Sequence, residues 1–300
     1  MLAAGLGILG LLAIGFPADL FNRTLRSNYG RLARLFPWIR KRAVPASSER
    51  QLAAFFVSCA IAGAIGSLQK AREWSTKGAI VIAASVALGY LVNTAVYEAA
   101  SRTAGARLGV QRRQFRVFPG ALPLVAAFVA ISTLGHLQPA YLYGNLSGSV
   151  ESSDNPSPAR ARALQVVMAS FALLALGMVC WAARAVVSSP LSSSLLAGCV
   201  VVALSRLAFG LAPIAYFDGA AVARYSRLMW ACLHGPVLAL FALLILFPAA
   251  KSAPTAGIVG VALVPFLAFA ALSVGLWLWF RWTPGRADDR GSRPRQATSA

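Results

Sequence analysis

Seven stretches of this chain are each about twenty residues long and almost free of charge: 2–21, 51–69, 78–98, 163–187, 191–216, 229–248 and 257–280. An α-helix rises 1.5 Å per residue, so about 20 apolar residues cross the roughly 30 Å hydrocarbon layer of a bilayer. Backbone amides in lipid find no water, and a single apolar run satisfies them only as a helix. Composition points the same way. Hydrophobic residues make up 58% of the 300, Asp, Glu, Lys and Arg only 12%, and the mean hydropathy is +0.67. Soluble domains carry about 25% charged residues. This chain cannot clothe a water-soluble globule, and the expected class is an all-α polytopic membrane protein.

An eighth apolar run, 119–142, is irregular. It follows Phe118, opens with Pro119-Gly120, contains Pro123, and ends in Gly135-His136-Leu137-Gln138-Pro139-Ala140-Tyr141-Leu142-Tyr143-Gly144. Proline removes a helix donor and glycine weakens the helix. Such a run either crosses as an eighth transmembrane helix or re-enters the layer packed inside protein. Lys and Arg collect on the cytoplasmic side, so they discriminate. With the N-terminus outside and a full crossing, inner segments hold 15 basic residues and outer ones 12. If the run enters and leaves on the inner side, the division is 22 to 5. The expectation is seven transmembrane helices plus one re-entrant segment, with the C-terminus cytoplasmic in a bacterial plasma membrane. Eight transmembrane helices are the alternative.

Outside the spans, 20–42 carries Phe21, Leu25, Tyr29, Leu32, Phe36 and Ile39 at steps of three or four, with arginines opposite. That spacing predicts an amphipathic helix in the inner interface. The membrane domain extends over 1–282, and the basic tail 283–300, rich in Pro, Gly, Arg and Ser, is expected to be disordered. The 144–162 stretch reads as a cytoplasmic loop. Residues 1–18 lack the basic start and cleavage site of a signal peptide and read as a retained first span.

The net charge of +19 comes from positives lying between apolar runs, where they set topology and meet anionic headgroups. The partner implied is the lipid bilayer, and nucleic acid is not expected. Cys59, Cys180, Cys199 and Cys232 form no CxxC pair and read as small buried hydrophobes. Neither a metal nor another cofactor is expected.

Polar groups in hydrocarbon are costly, so they mark function. Here they are Asn93, Glu98, His136, Arg206, Asp218 and His234. Each has a plain structural alternative. Glu98 at a span end can be solvated, and Asp218 before Gly219 can make a turn. Arg206, about fifteen residues into its run, needs a partner, either Glu98 or backbone carbonyls and water. His136 can bond the carbonyls of its own loop. His234 before Gly235-Pro236 reads as a polar group at a helix kink, and Pro213 and Pro236 both suggest broken helices.

Tyr97-Glu98-Ala99-Ala100-Ser101 at the inner end of a long span is followed by a glycine-bearing segment. Next come the basic strand-like stretch Arg112–Val117 and the irregular run, and much later Phe209-Gly210-Leu211-Ala212-Pro213-Ile214-Ala215-Tyr216-Phe217-Asp218-Gly219. This order resembles the site-2 protease family of intramembrane zinc metalloproteases. The resemblance implies an HExxH helix, a re-entrant element, and a later span ending in Asp-Gly whose Asp is the third metal ligand. Glu98 matches the glutamate, Asp218-Gly219 the end of the later motif, and Pro213 lies near its proline. Tyr97 and Ser101 stand where both histidines belong, and a phenol and an aliphatic hydroxyl are poor zinc ligands at neutral pH. The resemblance therefore implies the scaffold without its chemistry.

The chain also resembles actinobacterial membrane proteins known for an F-G-L-L-P motif. That resemblance covers Phe16-Pro17-Ala18-Asp19-Leu20-Phe21-Asn22, the His136–Gly144 block and Phe209–Gly219, with Ala212 departing from the motif.

The expected function is a non-catalytic membrane protein with a degenerate site-2-protease-like core that binds another membrane segment or protein partner. Glu98, Asp218, His136 and Arg206 form its candidate cluster, with Tyr97 and Ser101 at the degenerate metal positions. A transporter or small-molecule channel, and a hydrolase using Glu98, His136 and Asp218, are the alternatives. A single cysteine at Ser153 in a cysteine-free background is expected to resist impermeant labelling of intact cells; strong labelling there would reverse the topology.

Overall fold

Every one of the seven apolar runs forms a helix. The computed structural model describes residues 2–31, 48–68, 76–110, 114–118, 121–134, 146–150, 157–215, 217–246 and 256–283. The elements run α1 (Leu2–Ser27), α2 (Ser48–Ser67), α3 (Thr76–Arg107), β1 (Gln114–Val117), α4 (Leu122–Leu134), β2 (Ser147–Val150), α5 (Ala159–Ala183) and α6 (Pro190–Gly210). Then come α7 (Asp218–Tyr225), α8 (Arg227–Phe241), a π-helical turn Ala242–Leu246, and α9 (Ala256–Trp282). Among the described residues, five helices (α2, α3, α5, α6 and α8 with its extension) are long and apolar enough to cross a membrane. The protein is thus an all-α membrane protein in its main architecture, with one two-stranded ribbon added.

Helix ends follow local chemistry. Pro190 starts α6, where a missing N–H costs nothing. Ser226 caps α8 by accepting from the Met229 amide at 3.2 Å. Pro17 and Pro236 lie inside α1 and α8, and both helices continue through them. The 191–216 run ends as a helix at Gly210, six residues early, because the chain turns before Pro213. Pro213 therefore follows a helix instead of breaking one, and Arg206 sits about one turn from the helix end. Residues 20–27 are the last turns of α1, and after a turn at Asn28 residues 29–31 are helical again; 32–42 and the tail beyond Thr283 lie outside the described residues. The 144–162 stretch contains β2 and the start of α5, so it is not simply a loop.

α3 is the central helix, packed against α2, α5 and α6, while α1 packs against α8 and α9. Glycine permits the α3–α6 contact. A Cβ on Gly89 would come within 2.8 Å of the Gly198 carbonyl, and one on Gly198 would overlap the Ser85 carbonyl. Asn93, fully buried one turn on, donates to Gly89 O at 2.6 Å and across the interface to Cys199 O at 3.1 Å. His234 likewise ties helices together, its Nε2 lying 2.7 Å from Ala208 O. It is an interhelix bond as much as a kink residue. Cys59, Cys180 and Cys199 are buried, while Cys232 is exposed, so the fourth cysteine is not the core residue expected.

The irregular run leaves from β1 and returns to β2. The strands pair antiparallel from Gln114↔Val150 to Val117↔Ser147, and the Phe118 amide donates to Leu146 O at 2.8 Å. Between them α4 has 13 residues, about 20 Å, which is short of the hydrocarbon thickness. It is packed inward: Val125 and Ser132 are fully buried, and Phe128 stacks edge-on to Phe209, which stacks on Phe241.

A set of contacts gathers the helix ends at one face. Asn22 reaches Pro213 and Ala215, and Arg31 reaches Thr283 O. Asp19 meets Arg227, Gln51 meets Val117, and Gln165 meets Ser101. Among the described residues, the basic side chains lie at or near this face, except Lys77 at the start of α3 and Arg184 after α5.

Gly198→Ala is expected to cost about 1–3 kcal/mol through overpacking against Ser85. Gly275→Ala, which meets nothing within 4 Å, should be neutral or gain about 0.5–1 kcal/mol. Unfolding of both variants in detergent micelles checks the pair.

Candidate functional site

One face of α3 carries a polar stripe at helical spacing: Thr94, Tyr97, Glu98 and Ser101, all buried. Residues i, i+3, i+4 and i+7 share a face, so the stripe meets α5, α6 and α7 together. The Tyr97 hydroxyl donates to Asp218 Oδ2 at 2.7 Å. The Arg206 guanidinium lies 4.4 Å over the centre of the Tyr97 ring, and its Nη1 donates to Thr94 Oγ1 at 3.1 Å. Gln165 of α5 donates from Nε2 to both Ser101 O and Ser101 Oγ, each at 2.9 Å.

The structure therefore brings together Tyr97, Arg206 and Asp218, with Glu98 beside Tyr97 on the helix. His136 lies outside the described residues. Arg206 lies against side chains of α3. It takes a hydroxyl and a ring face, and among the described residues its buried Nη2 has no hydrogen-bond partner. A desolvated cation over an aromatic face gains about 2 kcal/mol. A hydrogen bond to a carboxylate adds about 1.5–3 kcal/mol. Tyr97 thus carries two charged contacts of opposite sign, one on its ring and one on its hydroxyl.

Asp218 is placed by the turn before it. Residues 211–215 leave the helix, and Asp218 opens α7. Asn22 of α1 clamps this turn from both sides: Nδ2 donates to Pro213 O at 2.7 Å and Oδ1 accepts from the Ala215 amide at 2.6 Å. Trp230 Nε1 donates to Leu211 O at 2.7 Å. Gly219 is required by packing, since a Cβ there would overlap the Leu211 carbonyl. The Asp-Gly pair thus has a local reason: the carboxylate faces Tyr97 while the glycine lets α7 fold back on the end of α6.

A catalytic zinc ion needs about three protein ligands. Among the described residues, no three His, Cys, Asp or Glu side chains gather. At the two histidine positions of the metalloprotease pattern, the Tyr97 hydroxyl is engaged with Asp218 and Ser101 with Gln165. These residues do not fit a zinc site.

Beside the stripe runs a groove of about 890 Å³ between α2, α3 and β1. Leu52, Phe55, Phe56 and Leu91 give it apolar walls, and Thr94 and Glu98 give it a polar floor. Thr94, Gln165, Asn22 and Trp230 were not singled out as site residues from sequence. The four-residue stripe on α3 was the readable signal for Thr94. Asn22 and Trp230 carry no such signal, because their partners are backbone groups far away in the chain.

Comparison of the chain with protein-family models, with curated proteins and with solved structures gives no match.

A double-mutant cycle with Tyr97→Phe and Asp218→Asn, read by unfolding in detergent, is expected to return a coupling of about 1–2 kcal/mol. Additive effects within about 0.3 kcal/mol would separate the two residues.

Proposed function

We propose that this chain is a non-catalytic membrane protein whose site-2-protease-like core holds a membrane segment of a protein partner. The observation that carries the reading is the Tyr97–Asp218 hydrogen bond. It joins two positions at which the metalloprotease pattern has metal ligands, and it closes them with a phenol and a carboxylate. The open groove on the other side of Glu98 supplies the binding surface. Its walls match an apolar segment, and Thr94, Glu98 and Arg102 offer polar contacts within it.

The topology belonging to this reading is seven transmembrane helices plus a re-entrant segment in a bacterial plasma membrane, with the N-terminus outside. Its support is the ribbon, which returns the chain to its point of departure, and the clustering of arginines at that same face. The likeness to the F-G-L-L-P proteins fits the same arrangement, since Asn22 of one block bonds Pro213 and Ala215 of another.

A photo-crosslinking residue at Phe56, in the groove and 52% exposed, is expected to trap one membrane protein in cells, whereas the same probe at Val179, 66% exposed on α5, traps none. Equal capture from both positions removes the groove as the binding surface. Stoichiometric zinc in purified protein together with Glu98-dependent proteolysis rejects the non-catalytic reading.

A further inference from the structure

A second cavity, of about 390 Å³, opens between α1, α7 and α8 on the face where the helix ends gather. Four arginines line it: Arg23, Arg26, Arg224 and Arg227. Its one carboxylate, Asp19, is shared between Arg23 at 3.7 Å and Arg227 at 3.3 Å. Arg26 and Arg224 have no carboxylate partner among the described residues. Like charges held this close are costly unless an anion sits between them. Partial burial, then the neighbouring Arg26 and Arg162, push the Arg224 pKa below its ordinary value. The guanidinium stays charged, so the repulsion persists until a counter-charge arrives. Asn22 and Trp230 complete the wall.

The α1 surface leading to this cavity is apolar and open. Ile8, Leu12 and Phe16 are 61%, 68% and 74% exposed. They repeat every four residues and lead to Asp19 and Arg23, so one helical face passes from bare hydrocarbon-facing side chains to guanidinium groups. A free anion in water has no use for that approach. An amphiphile does: its acyl chains follow Ile8–Phe16 and its head enters among the arginines. Arginine suits the head, since its planar fork donates paired hydrogen bonds to phosphate oxygens.

We infer that the Arg26–Arg224 cavity is a binding site for the phosphate headgroup of an anionic phospholipid. The site is separate from the groove beside Glu98 and does not depend on the function proposed for it.

Protein in micelles is titrated with phosphatidylglycerol and with phosphatidylcholine, with native mass spectrometry and thermal unfolding as readouts. Phosphatidylglycerol is expected to be retained and to raise Tm, with phosphatidylcholine doing neither. Arg26→Gln/Arg224→Gln should weaken phosphatidylglycerol binding about tenfold or more. Arg107→Gln/Arg160→Gln removes the same charge elsewhere and should leave binding unchanged. Unfolding of both double variants without added lipid verifies that they are folded. Equal loss in the two variants, or equal retention of the two lipids, overturns the site. Competition by millimolar inorganic phosphate, with phosphatidylglycerol giving no shift of its own, overturns the lipid as occupant in favour of a soluble ion.

Discussion

The pairing of β1 with β2 is the constraint on which the rest of the structure depends. Four residue pairs and the Phe118–Leu146 bond hold the two ends of the α4 excursion together. Because the chain comes back to where it left, α5 starts at the face where α3 ends. The directions of α6 and α8 follow from that, and so does the meeting of Tyr97 with Asp218. If α4 ended at the far face, the end of α3 and the end of α6 would be a membrane thickness apart. The ribbon is short and its second strand is Ser-Gly-Ser-Val, a weak strand former. Tertiary packing compensates: Leu146 and Ser147 are buried, and Gln51 of α2 accepts from the Val117 amide.

Within that frame, buried polar groups hold helices together. Asn93, Gln165 and His234 each bridge two helices through a backbone carbonyl. Where lipid offers no better partner, such bonds fix register between helices more than they add stability. The cluster of Tyr97, Arg206 and Asp218 works in the same way but with charge. A guanidinium and a carboxylate approach one phenol from two sides, and the ring serves as the spacer between them.

Much of this was legible in the sequence, for definite physical reasons. Runs of about twenty apolar residues fix helices, and all seven are present. The Arg112–Val117 stretch reads as a strand, and 114–117 is one. What the sequence hid was where apolar chain stops being helical. Leu211 to Ala215 is as apolar as the helix before it, yet it turns: Pro213 brings no helix donor, and Asn22 and Trp230 take the turn's carbonyls and amide. Those partners lie far away in the chain, and no local pattern announces them. Arg206 is placed too deep by the same error. Tyr97 is dismissed as a metal ligand on sound chemistry, and that hides its part in joining α3 to Asp218. At the start of the expected 20–42 amphipathic helix, residues 20–27 continue α1, since a straight helix that reaches the interface shows the same pattern of arginines opposite apolar residues; 32–42 lie outside the described residues.

The partners of α1 have a consequence for biogenesis. This helix is made before its neighbours α8 and α9, with α2 to α7 between them. Its clamp on the 211–215 turn spans 191 and 193 residues of chain. While α2 to α7 are being made, α1 therefore stays without these neighbours, sheltered only by lipid or by the insertion machinery. Contacts so distant along the chain form slowly. Docking of α1 must wait for α8 and α9, so a chain cut short before residue 227 lacks both helices that α1 packs against.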